Sequence, residues 1–267
     1  MNKFKLIATF AVILICGGVA SYFYFQDTSP PVKVAVKAPP QPKIEVPKPQ
    51  EPQKPQIVEP VPVQTPLPKL AESDSFILDA LTELVSNKKL MKLFETEKII
   101  RNIVATVDNL TRNKLPSRLL PINQPGGKFI TTGGEETLAI SSRNAARYAP
   151  YMKLIEVIDT KKLIEIYTRL YPLFQETYQE LGYPNKYFND RLLEVIDDLL
   201  DVPDVNEPVK LVQPNVFYLY ADPDLEELSI GQRILIRIGN KNAEKIKSKL
   251  TEFKKELALH MHDKKIS

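Results

Sequence analysis

Residues 96–110 read TEKIIRNIVATVDNL, and their apolar side chains recur three and four positions apart, as on one face of an α-helix. This spacing predicts a helix that starts at Thr96 and turns one face towards a hydrophobic core. The apolar positions of that face are Ile99, Ile100, Ile103, Val104, Val107 and Leu110.

Similar spacing on both sides of this helix predicts a mostly helical region over residues 70–267. Asp159 or Thr160 can cap a long helix, which Pro172 should kink or divide and Gly182 should end. The predicted helices cover residues 76–85, 88–94, 96–110, 143–149, 160–181, 189–200, 230–238 and 242–259.

The last two of these helices have distinct sequence features. Ser229 and Gln232 have the spacing of a capping box at the start of the helix over residues 230–238. The final helix carries a narrow apolar seam, which either closes the core or pairs with a second copy of the chain; closing the core is favoured. The seam consists of Ile246, Leu250, Phe253 and Leu257.

Three short segments have the pattern of β-strands. Residues 129–132 and 137–140 flank Gly133 and Gly134, and glycine supplies the positive φ that a tight hairpin turn needs. Residues 216–220 predict a third strand that joins this hairpin. We therefore expect an α+β fold, mostly α-helical with a small antiparallel sheet, preceded by one transmembrane helix and a Pro-rich linker.

The N-terminal segment, residues 1–26, predicts a membrane anchor. Residues 6–25 form a run of twenty residues without a charge, long enough to cross the lipid bilayer as a helix. Lys3 and Lys5 precede the run, which places the N-terminus in the cytoplasm and the rest of the chain beyond the membrane. Cleavage after Ala20 by signal peptidase is the alternative.

Residues 27–69 predict an extended linker. They hold 13 of the 23 prolines and no glycine or aromatic residue, so they cannot form a packed core. As polyproline II, 43 residues reach at most about 130 Å. Of the net charge of +3, the anchor and the linker carry +2 each and residues 70–267 carry −1. A nearly neutral domain argues against nucleic-acid binding.

The composition excludes several chemistries. Cys16 is the one cysteine, so the chain has no intramolecular disulfide and no cysteine zinc cluster. His260 and His262 are the two histidines and lie close together near the C-terminus. We therefore expect no metal, no cofactor and no histidine-based catalytic triad.

Two groups of residues are candidate sites in the region of residues 70–267. Arginine and tyrosine fall together on about two helical turns, a combination suited to carboxylates, phosphates or glycans. These residues are Arg143, Arg147, Tyr148 and Tyr151. Asp190 and Glu194, followed by Asp197 and Asp201, line one helical face, which predicts either an acid/base pair or a solvated surface. In both groups a purely structural role is the simpler interpretation.

Five segments together resemble the proteobacterial family called domain of unknown function 3014. They are RNIVATVDNL at residues 101–110, YPLFQ at 171–175, LGYP at 181–184, FNDRL at 188–192 and LSIGQ at 228–232. The resemblance implies a Gram-negative envelope protein with one N-terminal membrane helix. It implies no activity and no catalytic residue.

These observations predict a periplasmic domain tethered to the inner membrane, which serves as a non-enzymatic scaffold or adaptor for an envelope protein or for peptidoglycan. The alternative is a hydrolase of peptidoglycan or glycans that uses Asp190 and Glu194, whose two carboxyl groups would face each other about 5 to 9.5 Å apart. A small-ligand sensor is the third possibility, and it requires a closed apolar pocket of about 300 Å³ or more.

Overall fold

The computed structural model describes residues 66–262, with side chains up to His260. The predicted membrane helix over residues 6–25 and nearly all of the predicted linker lie outside the described residues. Within residues 66–262, no helix combines the length and the apolar character needed to cross a membrane. The described part is mostly helical with two small antiparallel sheets, which confirms the α+β prediction for this part of the chain.

Ten α-helices follow one another in the described part of the chain, with short 3₁₀ turns between some of them. They are α1 (Ser73–Val85), α2 (Lys88–Met91), α3 (Ile99–Leu110), α4 (Asn144–Arg147), α5 (Ala149–Val157), α6 (Thr160–Glu180), α7 (Phe188–Leu200), α8 (Pro223–Glu227), α9 (Ile230–Arg237) and α10 (Asn240–His262).

The core lies between four helices, because α3 and α10 each pack against both α6 and α7. The apolar face of α3 is buried as its spacing predicts. In the apolar stripe of α7, the fully buried residues are Leu192, Val195, Ile196 and Leu199. All four residues of the α10 seam are also fully buried within the chain. The seam therefore closes the core, and self-association of the chain stays a prediction.

The start of α3 differs from the prediction. The helix begins at Ile99 and not at Thr96, after Lys98 adopts a left-handed conformation with φ 53°. Asp74 of α1 provides the cap, because its carboxylate accepts hydrogen bonds from the backbone N–H groups of Lys98 (2.7 Å) and Ile99 (2.9 Å). A side chain 24 residues away thus satisfies the first donors of α3.

The long helix α6 follows the prediction at both ends. The Asp159 carboxylate caps it by accepting from the N–H of Lys162 at 3.1 Å, and Gly182 with φ 111° lies just beyond its C-terminus. Pro172 lies inside α6 without dividing it. The missing N–H of proline removes one helical hydrogen bond, and packing of α6 against α3 and α10 compensates for that loss.

The β-structure consists of two hairpins. β1 (Thr131–Thr132) pairs antiparallel with β2 (Ala139–Ile140), which confirms the hairpin around Gly133. The predicted strand over residues 216–220 is shortened to β4 (Leu219–Tyr220), and it pairs with β3 (Leu211–Val212), not with the first hairpin. That part of the prediction is wrong, since β3 intervenes and itself lies beside β2 through an isolated bridge.

Helix α9 packs against α7 and forms a hydrogen bond with the segment that follows α3. The Ser229 hydroxyl caps α9 by accepting from the N–H of Gln232 at 3.1 Å, but the Gln232 amide donates to the Asp198 carbonyl and not back to the cap. A methyl group on Gly231 would lie 2.6 Å from Leu199 Cδ2, so glycine allows α9 to approach α7 closely. At this contact the N–H of Ile230 donates to the carbonyl of Arg112 at 2.7 Å.

Candidate functional site

A polar cleft of about 540 Å³ opens between the C-terminal ends of α3 and α6, the loop over residues 181–187 and the start of α7. We call it the Asp108 cleft. Charged side chains and tyrosines form most of its walls. The lining residues are Asp108, Arg112, Tyr178, Tyr183, Asn185, Lys186, Tyr187, Asp190, Arg191 and Glu194.

Asp108 lies at the base of the cleft and is almost completely buried. Its Oδ2 is 2.6 Å from Nη2 of Arg112, and its Oδ1 is 3.3 Å from Nε of Arg191. Arg112 comes four residues later, one helical turn further along the chain, which brings the guanidinium over the carboxylate. Burial of a charged carboxylate is costly unless it is paired, and two arginines meet that requirement here.

Arg191 connects α7 to the end of α3. Its Nη2 donates to the backbone carbonyl of Asp108 at 2.6 Å and to the hydroxyl of Thr111 at 2.5 Å, while Nη1 pairs with Glu194 Oε1 at 2.8 Å. The last turn of a helix has carbonyl groups without intrahelical partners and a partial negative charge, so a cation is stabilised there. Arg191 therefore has a structural role as well as a place in the cleft.

Tyr183 joins the loop to the cleft. Its hydroxyl accepts from Nη2 of Arg112 at 2.9 Å and lies 3.3 Å from Asp108 Oδ2, to which it donates. Its ring stacks on Tyr178 with centroids 4.6 Å apart, and Nζ of Lys186 lies 5.6 Å from the Tyr183 ring centroid. Burial, with a further contribution from Asp108, raises the pKa of Tyr178 to about 12. Tyr183 thus contacts two cations, Arg112 through its hydroxyl and Lys186 through its ring.

Asp190 and Glu194 occupy the α7 side of the cleft, one helical turn apart. Phe188, Asn189 and Leu192 are buried on the core side of the same helix, so both carboxylates are turned to the solvent side, where both are exposed. Desolvation raises the pKa of Asp190 above its ordinary value.

One comparison with known proteins gives a match. A family model described as "Protein of unknown function (DUF3014)" matches residues 99–254, more than half of the chain. The chain belongs to this family. The match confirms the resemblance that the sequence segments indicated. The matched residues of this DUF3014 chain extend from the start of α3 into α10. They include every residue of the Asp108 cleft. No curated protein and no solved structure matches the chain.

The structure brings Asp190 and Glu194 together in one cleft of the DUF3014 domain, as their spacing predicts. It does not place them on opposite walls, because both project from the same face of α7. Asp197 and Asp201 do not line the cleft; Asp197 forms an ion pair with Lys254 of α10. Which of these carboxylates binds or reacts with a ligand stays a prediction.

The second predicted group lies elsewhere, on α4 and α5, and we call it the Arg147 cluster. Arg147 donates to the carbonyl oxygens of Pro125, Gly126 and Gly127, the shortest being Gly127 at 2.8 Å. Tyr148 and Tyr151 are buried, and the Tyr151 hydroxyl donates to the carbonyl of Asn123 at 2.8 Å. Burial raises the pKa of Tyr151 to about 12. Arg143 is exposed to solvent.

These contacts hold the loop over residues 123–127 against α4 and α5. Three of the four residues, Arg147, Tyr148 and Tyr151, therefore have partners within the fold. The binding role predicted for the Arg147 cluster remains a prediction, and among its members Arg143 is the one exposed to solvent.

Sequence reasoning missed Asp108, Arg112, Tyr183 and Arg191. One signal for Asp108 was present: it follows Val104 by four positions, so a carboxylate interrupts the apolar face of α3. Arg191 likewise falls between Phe188 and Val195 at helical spacing. A charge on an apolar face needs a partner of opposite charge, which each of these residues provides for the other.

Among the described side chains, no group of three or more histidine, cysteine, aspartate and glutamate residues could hold a metal ion. The His260 ring nitrogen Nδ1 is 3.1 Å from the carbonyl of Glu256. Between α1, α3 and α6 lies an apolar cavity of only about 30 Å³. This volume admits about one water molecule, and the small-ligand sensor stays a prediction.

Proposed function

We propose that this chain is an inner-membrane-anchored adaptor of the Gram-negative cell envelope, and that its C-terminal domain binds an envelope partner in the Asp108 cleft without catalysis. Residues 6–25 would form the anchor and residues 27–69 the spacer. One observation carries the proposal: two carboxylates of the cleft, Asp108 and Glu194, are neutralised by arginines, while about 540 Å³ of the cleft is open.

The ion pairs favour binding over hydrolysis. A carboxylate-based glycosidase needs two carboxyl groups on opposite sides of the scissile bond. Here Asp190 and Glu194 share one helical face, and Glu194 is paired with Arg191 at 2.8 Å. Asp108 faces them from α3, but it is buried and contacts two arginines. This arrangement is suited to hold a charged ligand by charge-assisted hydrogen bonds.

The linker supports an adaptor role as well. A Pro-rich segment of 43 residues spans up to about 130 Å when extended, so the domain would reach partners far from the membrane surface.

Site-specific cross-linking in cells tests the adaptor proposal with the full-length chain. A photoreactive amino acid replaces Asn185 in the Asp108 cleft, Arg143 in the Arg147 cluster, or Lys161 at the start of α6. Lys161 is a matched exposed control, about 25 Å along α6 from Tyr178 at 1.5 Å per residue.

We expect one envelope component, protein or peptidoglycan, to be captured from position 185 and not from position 161. Capture from position 143 alone would move the binding site to the Arg147 cluster. Absence of any adduct from all three positions would contradict the adaptor proposal.

The location is tested separately. We expect protease added to spheroplasts to degrade the domain while the cytoplasmic proteins stay intact. Of two reporters fused after Ser267, the one that works only in the periplasm should be active, and the one that works only in the cytoplasm should be inactive. Degradation of the domain only after lysis would place the domain in the cytoplasm and overturn the proposed topology.

A further inference from the structure

The two edges of the Asp108 cleft carry opposite charges. On the cationic edge lie Arg112 and Lys186, connected through Tyr183, whose hydroxyl contacts Arg112 at 2.9 Å and whose ring lies 5.6 Å from Lys186 Nζ. On the acidic edge lie Asp190 and Glu194, whose positions one turn apart on α7 set their Cβ atoms about 5 to 6 Å apart.

The groups on both edges have capacity for a ligand. The side chain of Arg112 is 52% exposed and that of Glu194 is 64% exposed, although each has an ion-pair partner. In the described part of the chain, neither Lys186 nor Asp190 forms an ion pair. Each edge therefore has one charge that is paired and oriented and one that is available.

The buried Asp108 keeps the two edges apart. It pairs with Arg112 on one side and with Arg191, which pairs in turn with Glu194, on the other. This chain of ion pairs fixes the guanidinium of Arg112 and the carboxylate of Glu194 in position before any ligand arrives. A preorganised site loses less conformational entropy on binding.

We propose that the Asp108 cleft binds a short peptide through both of its charges, with a free ammonium group at the acidic edge and a free carboxylate at the cationic edge. The proposal deepens the adaptor function and rests on it. Arginine matches a planar carboxylate with two parallel donors, and an ammonium group donates to carboxylates. The volume of about 540 Å³ lies in the usual range for small-ligand sites.

Cell-wall peptides have the required chemistry, because they carry free amino and carboxylate groups close together. A zwitterionic lipid headgroup carries an ammonium group and a phosphate, and it is the competing source of paired charges. Tyr183 favours the peptide, since its partly exposed ring, stacked on the buried Tyr178, adds apolar surface next to the cationic edge for a side chain or a peptide plane.

Calorimetric titration of the full-length chain in a non-ionic detergent tests the proposal. The probes are the dipeptide alanyl-alanine, its N-acetylated form, its C-terminal amide and the doubly blocked form. We expect the free dipeptide to bind and each single block to weaken binding about tenfold, because each removes one charge-assisted contact. Phosphoethanolamine is the probe for the lipid headgroup.

Two variants assign the charges to the two edges. Asp190→Asn should weaken binding of the free dipeptide about five- to tenfold and leave binding of the acetylated form unchanged. Lys186→Gln should weaken binding of the free dipeptide and leave binding of the amide unchanged. Both side chains are exposed, so the fold tolerates the changes. Asp197→Asn, on α7 outside the cleft, is the matched control and should bind as the unmodified chain does.

Three results would overturn the inference: no binding of the dipeptide, equal binding of all four forms, or binding of phosphoethanolamine in its place. The cross-linking from position 185 separates this failure from failure of the adaptor function. If position 185 still captures an envelope component, the adaptor function stands and only the ligand class is wrong.

Discussion

The Asp108 cleft and the Arg147 cluster contain the same residue types and use them differently. In the Arg147 cluster, arginine donates to backbone carbonyls of residues 125–127, and the tyrosines are buried. In the Asp108 cleft, arginines pair with carboxylates, and open volume remains beside them. Arginine and tyrosine are therefore better candidates for a binding site where they line open volume, as in the Asp108 cleft, than where they only hold a loop in place.

Removal of the Asp108 carboxylate has the largest expected effect. Asp108→Ala removes one of the two carboxylates that pair with the Arg191 guanidinium, whose side chain is only 13% exposed, and Glu194 remains as the other. Loss of one partner of a buried charged group costs about 1 to 3 kcal/mol. We expect the free energy of unfolding to fall by this amount in urea denaturation.

A surface pair provides the control for that prediction. Arg101 and Glu180 are 3.0 Å apart with about half of each side chain exposed, so Arg101→Ala should cost less than about 1 kcal/mol. Equal losses for Asp108→Ala and Arg101→Ala would show that Asp108 does not hold the cleft together.

Arg147→Ala should have an intermediate effect that is confined to one loop. The side chain donates to three carbonyls of residues 125–127, and hydrogen bonds from a charged donor contribute about 1 to 2 kcal/mol when they are partly solvated. We expect a loss of that size, together with faster proteolytic cleavage near Gly126. Arg143→Ala, at an exposed residue, should stay within about 0.5 kcal/mol.

Tyr151→Phe should cost about 1 kcal/mol. The substitution removes a 2.8 Å hydrogen bond that a buried tyrosine donates to the carbonyl of Asn123. Tyr183→Phe is the corresponding change in the cleft and should cost about half as much, because water can replace the hydroxyl there. Urea denaturation of both variants measures the difference. A larger loss for Tyr183→Phe would contradict the distinction between a packed cluster and an open cleft.

The helices could be predicted from the sequence because their signals are local. The apolar face of α3, the Asp159 cap and the Ser229 cap all depend on residues within one or two turns. The start of α3 could not be found in this way, since its cap is Asp74 on another helix. The pairing of β4 with β3 was missed because two-residue strands carry almost no periodic pattern.

In the candidate site, too, the sequence revealed the local features and not the contacts between distant residues. Asp190 and Glu194 were found from their spacing on one helix, whereas Asp108 and Arg191 are 83 residues apart and meet only when α3 packs against α7. The sequence shows that each of them places a charge on an apolar face, but it does not show that the two faces meet. Sequence spacing also could not show that the Arg147 guanidinium donates its hydrogen bonds to backbone carbonyls.

The smallest expected effect concerns Asp190 and depends on pH. Desolvation raises the pKa of Asp190 above 3.8, so the folded chain keeps this proton at a pH where the unfolded chain has released it. The free energy of unfolding therefore falls as pH rises from the pKa of Asp190 in the unfolded chain to its higher pKa in the folded chain. Asp190→Asn removes that loss. Because Asp190 is largely exposed, we expect a gain of only a few tenths of a kcal/mol at pH 7, which disappears near pH 3.

Asp197→Asn loses its ion pair with Lys254 and should change stability in the opposite direction at pH 7. Urea denaturation of both variants at the two pH values measures the signs. A loss of stability for Asp190→Asn at pH 7 would mean that a partner in the fold stabilises the Asp190 carboxylate, and its edge of the cleft would then have no free charge for a ligand.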